Sequence, residues 1–378
     1  MKSARLALLL FVVPLACDTT SEASDPTASK GDTRLGVDSK SPGSRPAEAA
    51  AALPIVLPTT AEAAGKALQG RHDPDNGFAG DLSAADLPGL LWLAAHGEKP
   101  LVVADAFHEA SGLVTLEEDP VKALIEPATR VALSRLDDTS IDVVRGALDV
   151  LDPALSADSV DAAVVAALER MLVSGSSVER KVLAASTLHL IAFDTKSVIA
   201  LSKTALASDE PAVVVTTLSW MNRLQGERAA LLKLIEPFLK HESPVHVGAA
   251  LQAFARNAEK SSDGARLTVE PFLQSKDGYV RAHALAAYAK LAGKKAASAI
   301  EANLDNRDAI IDPRIAHARE DGSSAKAGPY LAAKEVRQAA VNAIRHADSR
   351  ASISVDWHKP ESAEAAFTAA KAWAKNAG

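Results

Sequence analysis

What most constrains this chain is a spacing. Val144, Glu179, Val213, His246 and Val280 hold matching places in successive similar segments, and the step from each to the next is about 34 residues throughout. The segments read "DVVRGALDVLD" from Asp142, "SVERKVLAASTLHLIA" from Ser177, "EPAVVVTTLSWMNRL" from Glu210, "SPVHVGAALQAFARNA" from Ser243 and "DGYVRAHALAAYAKLA" from Asp277. A sixth, "KEVRQAAVNAIRHA", begins at Lys334. Generic alanine-rich helices show a period of about 3.6 residues and no larger one. A second, fixed step ten times longer therefore marks a repeated supersecondary unit.

Each of the first five segments is followed by a second helical run: "VDAAVVAALERML" from Val160, "TKSVIALSKTALAS" from Thr195, "RAALLKLIEPFLKH" from Arg228, "GARLTVEPFLQS" from Gly264 and "KKAASAIEANLDN" from Lys294. The unit is thus a pair of antiparallel helices of about three turns each. One such pair cannot bury its own apolar face, whereas stacked pairs share a continuous core. The expected fold is all-α, a right-handed α-solenoid of helical hairpins. Composition agrees: 48% of the 378 residues are hydrophobic but only 4% aromatic, so helices meet through small side chains.

The segments "DGYVRAHALAAYAKLA" and "EVRQAAVNAI" resemble the HEAT-repeat family in its short bacterial form, where an acidic residue stands in the turn and a Val-Arg pair opens the inner helix. Asp277 with Val280 and Arg281 matches that pattern; Asp137 or Asp138 with Val144 and Arg145 is a looser match. Val336 and Arg337 keep the pair without the aspartate, and the middle repeats place Val214 and Val247 near the arginine position. The resemblance spans roughly residues 120 to 347. It implies that the first helices line the inner face, and that Arg145, Arg281 and Arg337 tie turn to turn through acidic partners. It implies a fold rather than a chemistry, because such repeats serve many functions.

The beginning of the chain suggests an address. Lys2 and Arg5 precede "LALLLFVVPLA", residues 6 to 16, and then comes Cys17, the sole cysteine. The apolar run is too short to span a bilayer and suits a secretory signal. Leu15, Ala16 and Cys17 resemble a bacterial lipobox, with Pro14 where that family prefers an aliphatic residue. The resemblance implies removal of residues 1–16 and acylation of Cys17 with palmitate; ordinary signal cleavage is the alternative. Residues 17–62 are rich in Ser, Thr, Asp, Gly and Pro, without a sustained period, and read as a disordered tether. The expected divisions beyond it are an N-terminal helical cap at 63–120, HEAT-like repeats at 121–348 with an insertion at 307–330, and a C-terminal capping helix at 349–378. Ser83 is the expected N-cap of a helix with Asp86 three residues on, and "SISVDWHKP" is the one short strand-like piece.

Catalytic motifs are scarce. There is no Gly-x-Ser-x-Gly elbow and no phosphate-cradling loop, and "FHEASG" carries Gly112 where a zinc-protease helix needs its second histidine. A single cysteine excludes intramolecular disulfides and multi-cysteine zinc sites. His241 and His246 flank the turn "HESPVH", where a metal would need a further ligand such as Glu242. No metal, no cofactor and no enzymatic activity are expected, and a net charge of -7 argues against a nucleic-acid partner.

One polar pattern stands out. His189, Arg223, Arg256 and Lys290 recur at the same repeat step, late in successive first helices. Cations there complement exposed helix carbonyls, worth about 0.3 to 1 kcal/mol each. The alternative is a basic ladder along a concave surface, assisted by Asn222, Gln252, Asn257 and Asn342, that binds an acidic peptide, an acidic protein patch or an anionic glycan. Trp92, Trp220, Phe254 and Tyr288 read as packing residues. The functional expectation is a lipid-anchored scaffold of the bacterial cell envelope that binds a protein partner. Its alternatives are a structural envelope lipoprotein without a discrete groove, a regulatory adaptor of an enzyme complex, or an enzyme with its site in residues 61–120 or 307–330.

Overall fold

A computed structural model describes residues 57–68, 72–73, 77–78, 82–115, 119–191, 194–221, 227–311, 334–351 and 353–377. The expected signal peptide, Cys17 and nearly all of the expected tether lie outside the described residues. So do Asn222, Arg223 and most of the expected insertion.

The described chain is helical apart from one minimal antiparallel pair, β1 (His72–Asp73) with β2 (Gly77–Phe78). Its helices are α1 (Ala61–Ala67), α2 (Leu87–His96), α3 (Pro100–Val114), α4 (Asp119–Lys122), α5 (Ile125–Arg135) and α6 (Ile141–Val150). These are followed by α7 (Asp152–Leu155), α8 (Ala162–Ser174), α9 (Val178–Thr187), α10 (Thr195–Leu206), α11 (Pro211–Trp220) and α12 (Arg228–Ile235). The last six are α13 (Pro244–Asn257), α14 (Asp263–Val269), α15 (Gly278–Ala292), α16 (Ala297–Glu301), α17 (Val336–Ala347) and α18 (Pro360–Ala377).

These helices form two layers. In the first, α3, α6, α9, α11, α13, α15 and α17 pack in sequence order, each against the next. The second layer, α2, α5, α8, α10, α12, α14, α16 and α18, covers one side of the first. This is the all-helical, repeat-like packing that the regular step demands. One core runs lengthwise between the layers, from Leu68 to Ala370.

Local chemistry sets the boundaries. Asp161, Ser177, Asp194, Ser262 and Asp277 cap their helices through side-chain oxygens that accept first-turn amide hydrogens, while Pro211 and Pro244 occupy first positions where no amide hydrogen is needed. Ser83 is not a cap. Asp86 precedes α2, and its Oδ2 accepts from both the Ser83 amide, at 2.8 Å, and the Ser83 hydroxyl, at 2.9 Å. The helical run from Asp119 divides into α4 and α5, because Pro127 has no amide hydrogen for the Ala123 carbonyl and its ring crowds that carbonyl.

Three second-layer helices also differ from the three-turn expectation: α16 has only five residues behind a 3-10 turn at Gly293–Ala296, and the other two share one cause. α12 and α14 end early and continue as 3-10 turns, Glu236–Lys240 and Glu270–Gln274, each with proline in its first positions. Pro237 and Pro271 stand one repeat step apart, so the interruption is itself a repeat feature. The strand-like "SISVDWHKP" forms no strand: its described residues run without regular structure into a turn before α18.

Close approach in the first layer depends on small residues. A Cβ at Gly146 would sit 2.7 Å from Phe107 Cβ, and one at Gly248 would meet the rings of Tyr279 at 2.6 Å and His283 at 2.7 Å. Both glycines are buried in mid-helix, where their entropic cost of about 1 kcal/mol relative to alanine is outweighed by the packing they permit.

Candidate functional site

The expected ladder lies at the C-terminal edge of the first layer, and the structure gives its described members distinct roles. His189 follows the end of α9; its ring stacks on Trp220 with centroids 4.5 Å apart, and Nδ1 donates to the Ser186 carbonyl at 2.5 Å. Arg256, in the last turn of α13, directs Nη1 to the Ser219 carbonyl of α11 at 3.4 Å. Asn257 is buried beside it, and its Nδ2 donates to the Met221 carbonyl and, at 2.8 Å, to Ala253 O. Arg256 and Asn257 therefore staple the end of α11 to α13, satisfying carbonyls that a helix end leaves open. Lys290 occupies the corresponding last turn of α15.

Gln252 sits one turn before Arg256 and reaches sideways along the layer. Its Nε2 donates to His283 Nδ1 on α15 at 2.6 Å, and the His283 ring meets Tyr279 edge-on with centroids 4.4 Å apart. Asn342, on α17, is exposed.

The spacing concealed one rung. The step from Val280 to Val336 is longer than the others because the insertion falls within it, and the same long step from Lys290 leads to His346, in the last turn of α17. His346 keeps solvent-exposed surface, yet desolvation by the groups packed around it is the first cause of a lowered pKa; the positive charges of Lys290, Arg256 and Arg345 add to that shift. Arg256, Lys290 and Arg345 thus form a cationic cluster across three helix ends, with His346 among them. Carrying the repeat across the insertion would have revealed it.

The arginines assigned to the fold behave differently from one another. Arg281 joins turn to turn: Nε donates to the Ser275 carbonyl at 2.8 Å, and Nη1 pairs with Asp308 of the next turn at 2.6 Å. Arg145 pairs at 3.2 Å with Asp142 of its own helix. Arg337 pairs with Glu335 and lies over the Phe367 ring of α18, 4.6 Å from its centroid. Arg135 and Arg180, which the Val-Arg pattern did not mark, perform the turn-tying task in the first repeats. Arg135 donates to the Ala94 carbonyl at 2.9 Å and the Gly97 carbonyl at 2.8 Å, and Arg180, itself buried, reaches the Leu136 carbonyl at 3.4 Å.

Of the expected packing aromatics, Phe254 and Tyr288 are buried, while Trp220 and Trp92 are half-buried and stack on His189 and His96. His241 and His246 do meet, with stacked rings whose centroids are 4.1 Å apart. Among the described residues, no group of three His, Cys, Asp or Glu side chains is placed to hold a metal ion. No described helix is long and apolar enough to cross a membrane.

The inserted chain leaves at Ile311 and returns at Lys334 through a narrow neck. Ala309 and Glu335 form an isolated antiparallel bridge, and the Ile310 amide donates to the Lys334 carbonyl at 2.9 Å. This neck lies against the N-terminal end of α15, where a Cβ at Gly278 would strike the Ala309 carbonyl. The cationic cluster is at the other end of that helix, where Lys290 stands about 18 Å from Gly278 at 1.5 Å per residue.

No family model matches the chain, and no curated protein matches it. Among solved structures, the crystal structure of an engineered protein from the Northeast Structural Genomics Consortium is similar over 78% of this chain and 98% of that chain, at 17% identity and a TM-score of 0.30.

Proposed function

We propose that this chain is a non-enzymatic scaffold or adaptor whose working part is the surface of its two-layer helical array. The observation that carries this reading is the employment of the recurring polar side chains. Arg256 and Asn257 staple α11 to α13, Gln252 joins α13 to α15, and His189 stacks on Trp220. Side chains used to hold neighbouring repeats together build an extended, rigid surface, and surfaces of that kind bind partners through many weak contacts. Attachment of a lipid to Cys17 belongs to the same proposal, since it would hold the array at an envelope membrane and raise its local concentration there.

A second reading makes the basic edge a contact for an acidic protein patch. The charges of Arg256, Lys290 and Arg345 all bear on His346, so an incoming carboxylate would meet several cations together. A pull-down from solubilised envelope with the native chain and with a Lys290→Glu, Arg345→Glu variant separates the two. Loss of one partner from the variant, with its helicity unchanged, supports the basic edge. Equal recovery of a partner by both chains places binding elsewhere on the array. Failure of both chains to recover any partner after crosslinking would remove the scaffold reading. Intact mass of the mature protein tests the anchor: acylated Cys17 at the N-terminus is the expected result.

A further inference from the structure

Two histidines close a junction between the layers in the middle of the array. The 3-10 turn after α12 ends at Lys240, His241 follows it, and His246 lies in the first turn of α13. Their rings are inclined by 21°, with the Phe238 ring 6.3 Å from His241 and 6.4 Å from His246. His241 is exposed and His246 is 5% exposed, so the outer ring covers the inner one. The Ser243 amide donates to His241 Nδ1 at 3.0 Å, which closes the turn. His246 Nδ1 is buried and has no hydrogen-bond partner.

Each of these features suits a neutral pair. With Nδ1 accepting, neutral His241 carries its hydrogen on Nε2. A second proton must go to Nδ1, which turns the acceptor into a donor opposite the Ser243 amide and abolishes the bond. A proton on His246 would place a charge in a buried site within the first turn of a helix, where the helix dipole is already positive. Two charged rings in contact would also repel.

The surrounding groups offer no compensation. His241 is the titratable group whose charge acts on His246. Phe238 faces the pair from the 3-10 turn. Glu242 is exposed and forms no ion pair with either ring among the described residues. On α15, Tyr279 and His283 pack over Gly248, and His283 is engaged by Gln252.

We infer that the stacked His241–His246 pair is an acid-released latch: neutral, it holds the turn at residues 241–243 closed, and protonated, it parts and frees the junction between α12 and α13. Burial first, and then the charge of His241, lower the His246 pKa from its ordinary value. Release therefore belongs on the acid side of about pH 6.5. Because each repeat contacts only its neighbours, opening changes the seams that α13 makes with α11 and α15 and leaves the distant repeats in place.

The test is hydrogen exchange of the Ser243 and Val247 amides in the full chain between pH 7.5 and 5, corrected for the intrinsic pH dependence, together with NMR titration of the two imidazoles. The native chain should lose at least tenfold protection at these amides as the rings titrate, while amides of α5 and α6 keep theirs. In the double variant His241→Asn, His246→Phe, the asparagine keeps an acceptor for the Ser243 amide and the phenylalanine keeps a stacked ring; protection should stay flat with pH. Equal acid loosening in both chains would overturn the latch. So would imidazoles of the native chain that titrate without a change in protection, a readout that holds even if the double variant does not fold.

Discussion

The pair α9 and α11 and the pair α13 and α15 are built from one repeat and packed to different depths. In α13, ten of fourteen residues are buried; in α9 it is five of ten, and in α11 four of ten. The difference lies in side-chain size at the seam between neighbours. α13 presents Gly248, Ala249, Ala250 and Ala253, which let the rings of α15 close over it, whereas α9 carries Lys181 and α11 carries Val215 and Thr216, all partly open to solvent. Equal spacing along a chain therefore does not give equal density, because the small residues decide where adjacent helices can lock.

The strongest challenge to this comparison is a pair of cavities. Leu251 of α13 and Leu218 of α11 are both fully buried, and truncation of either to alanine should cost about 2 to 5 kcal/mol. Leu251→Ala should lie toward the upper end, because α13 is locked on both sides and cannot collapse into the void. Urea unfolding of the two variants checks this, and equal losses would break the comparison. Overpacking probes the same seam: Gly248→Val should destabilise by about 1 to 3 kcal/mol, since its new atoms must displace the rings of Tyr279 and His283.

Capping should be less sensitive to depth. Asp194→Ala removes the cap of α10 and the acceptor for the Val160 amide, 3.2 Å away in the preceding repeat; Asp277→Ala removes only the cap of α15. Each should cost about 0.5 to 2 kcal/mol, with Asp194 the larger. The Ser197 amide, before any other group, holds the Asp194 carboxyl below its ordinary pKa of 3.8. Its stabilisation is thus complete at neutral pH and is lost as the pH falls below that value through the depressed one.

The smallest expected effect concerns charge at the C-terminal end of α17. His346 binds its proton less tightly when folded than when unfolded, so the unfolded chain takes up more protons as the pH drops below about 6.5. Stability should therefore be greatest above that pH and decline as the pH falls toward the folded value. His346→Gln should reduce the decline of the urea midpoint between pH 7 and 5 without changing the midpoint at pH 8.

The repeat, the helical class and the layer order are legible in the sequence because burial of a shared face imposes a period. The positions of Phe254 and Tyr288 follow from it, as does the placement of Arg256 and Lys290 at helix ends. Breaks within the second layer were also written there, in Pro237 and Pro271, but a proline read against a strong apolar pattern is easily absorbed into the helix. The partners of the polar residues were not legible. Nothing local to Arg256 specifies the carbonyl of Ser219, 37 residues away, because that pairing exists only once the helices have stacked. His346 was hidden by arithmetic rather than by chemistry.

The neck at Ala309 and Glu335 brings together the two ends of the interval between Ile311 and Lys334. Because the two ends meet there, α17 takes the place after α15 that an uninterrupted repeat would have given it. Doubling the length of a flexible excursion closed at such a point costs only about 0.6 kcal/mol. The site is thus a socket: chain can be exchanged there, lengthened, or replaced by a whole guest domain whose termini lie close together, while the stack on either side keeps its register.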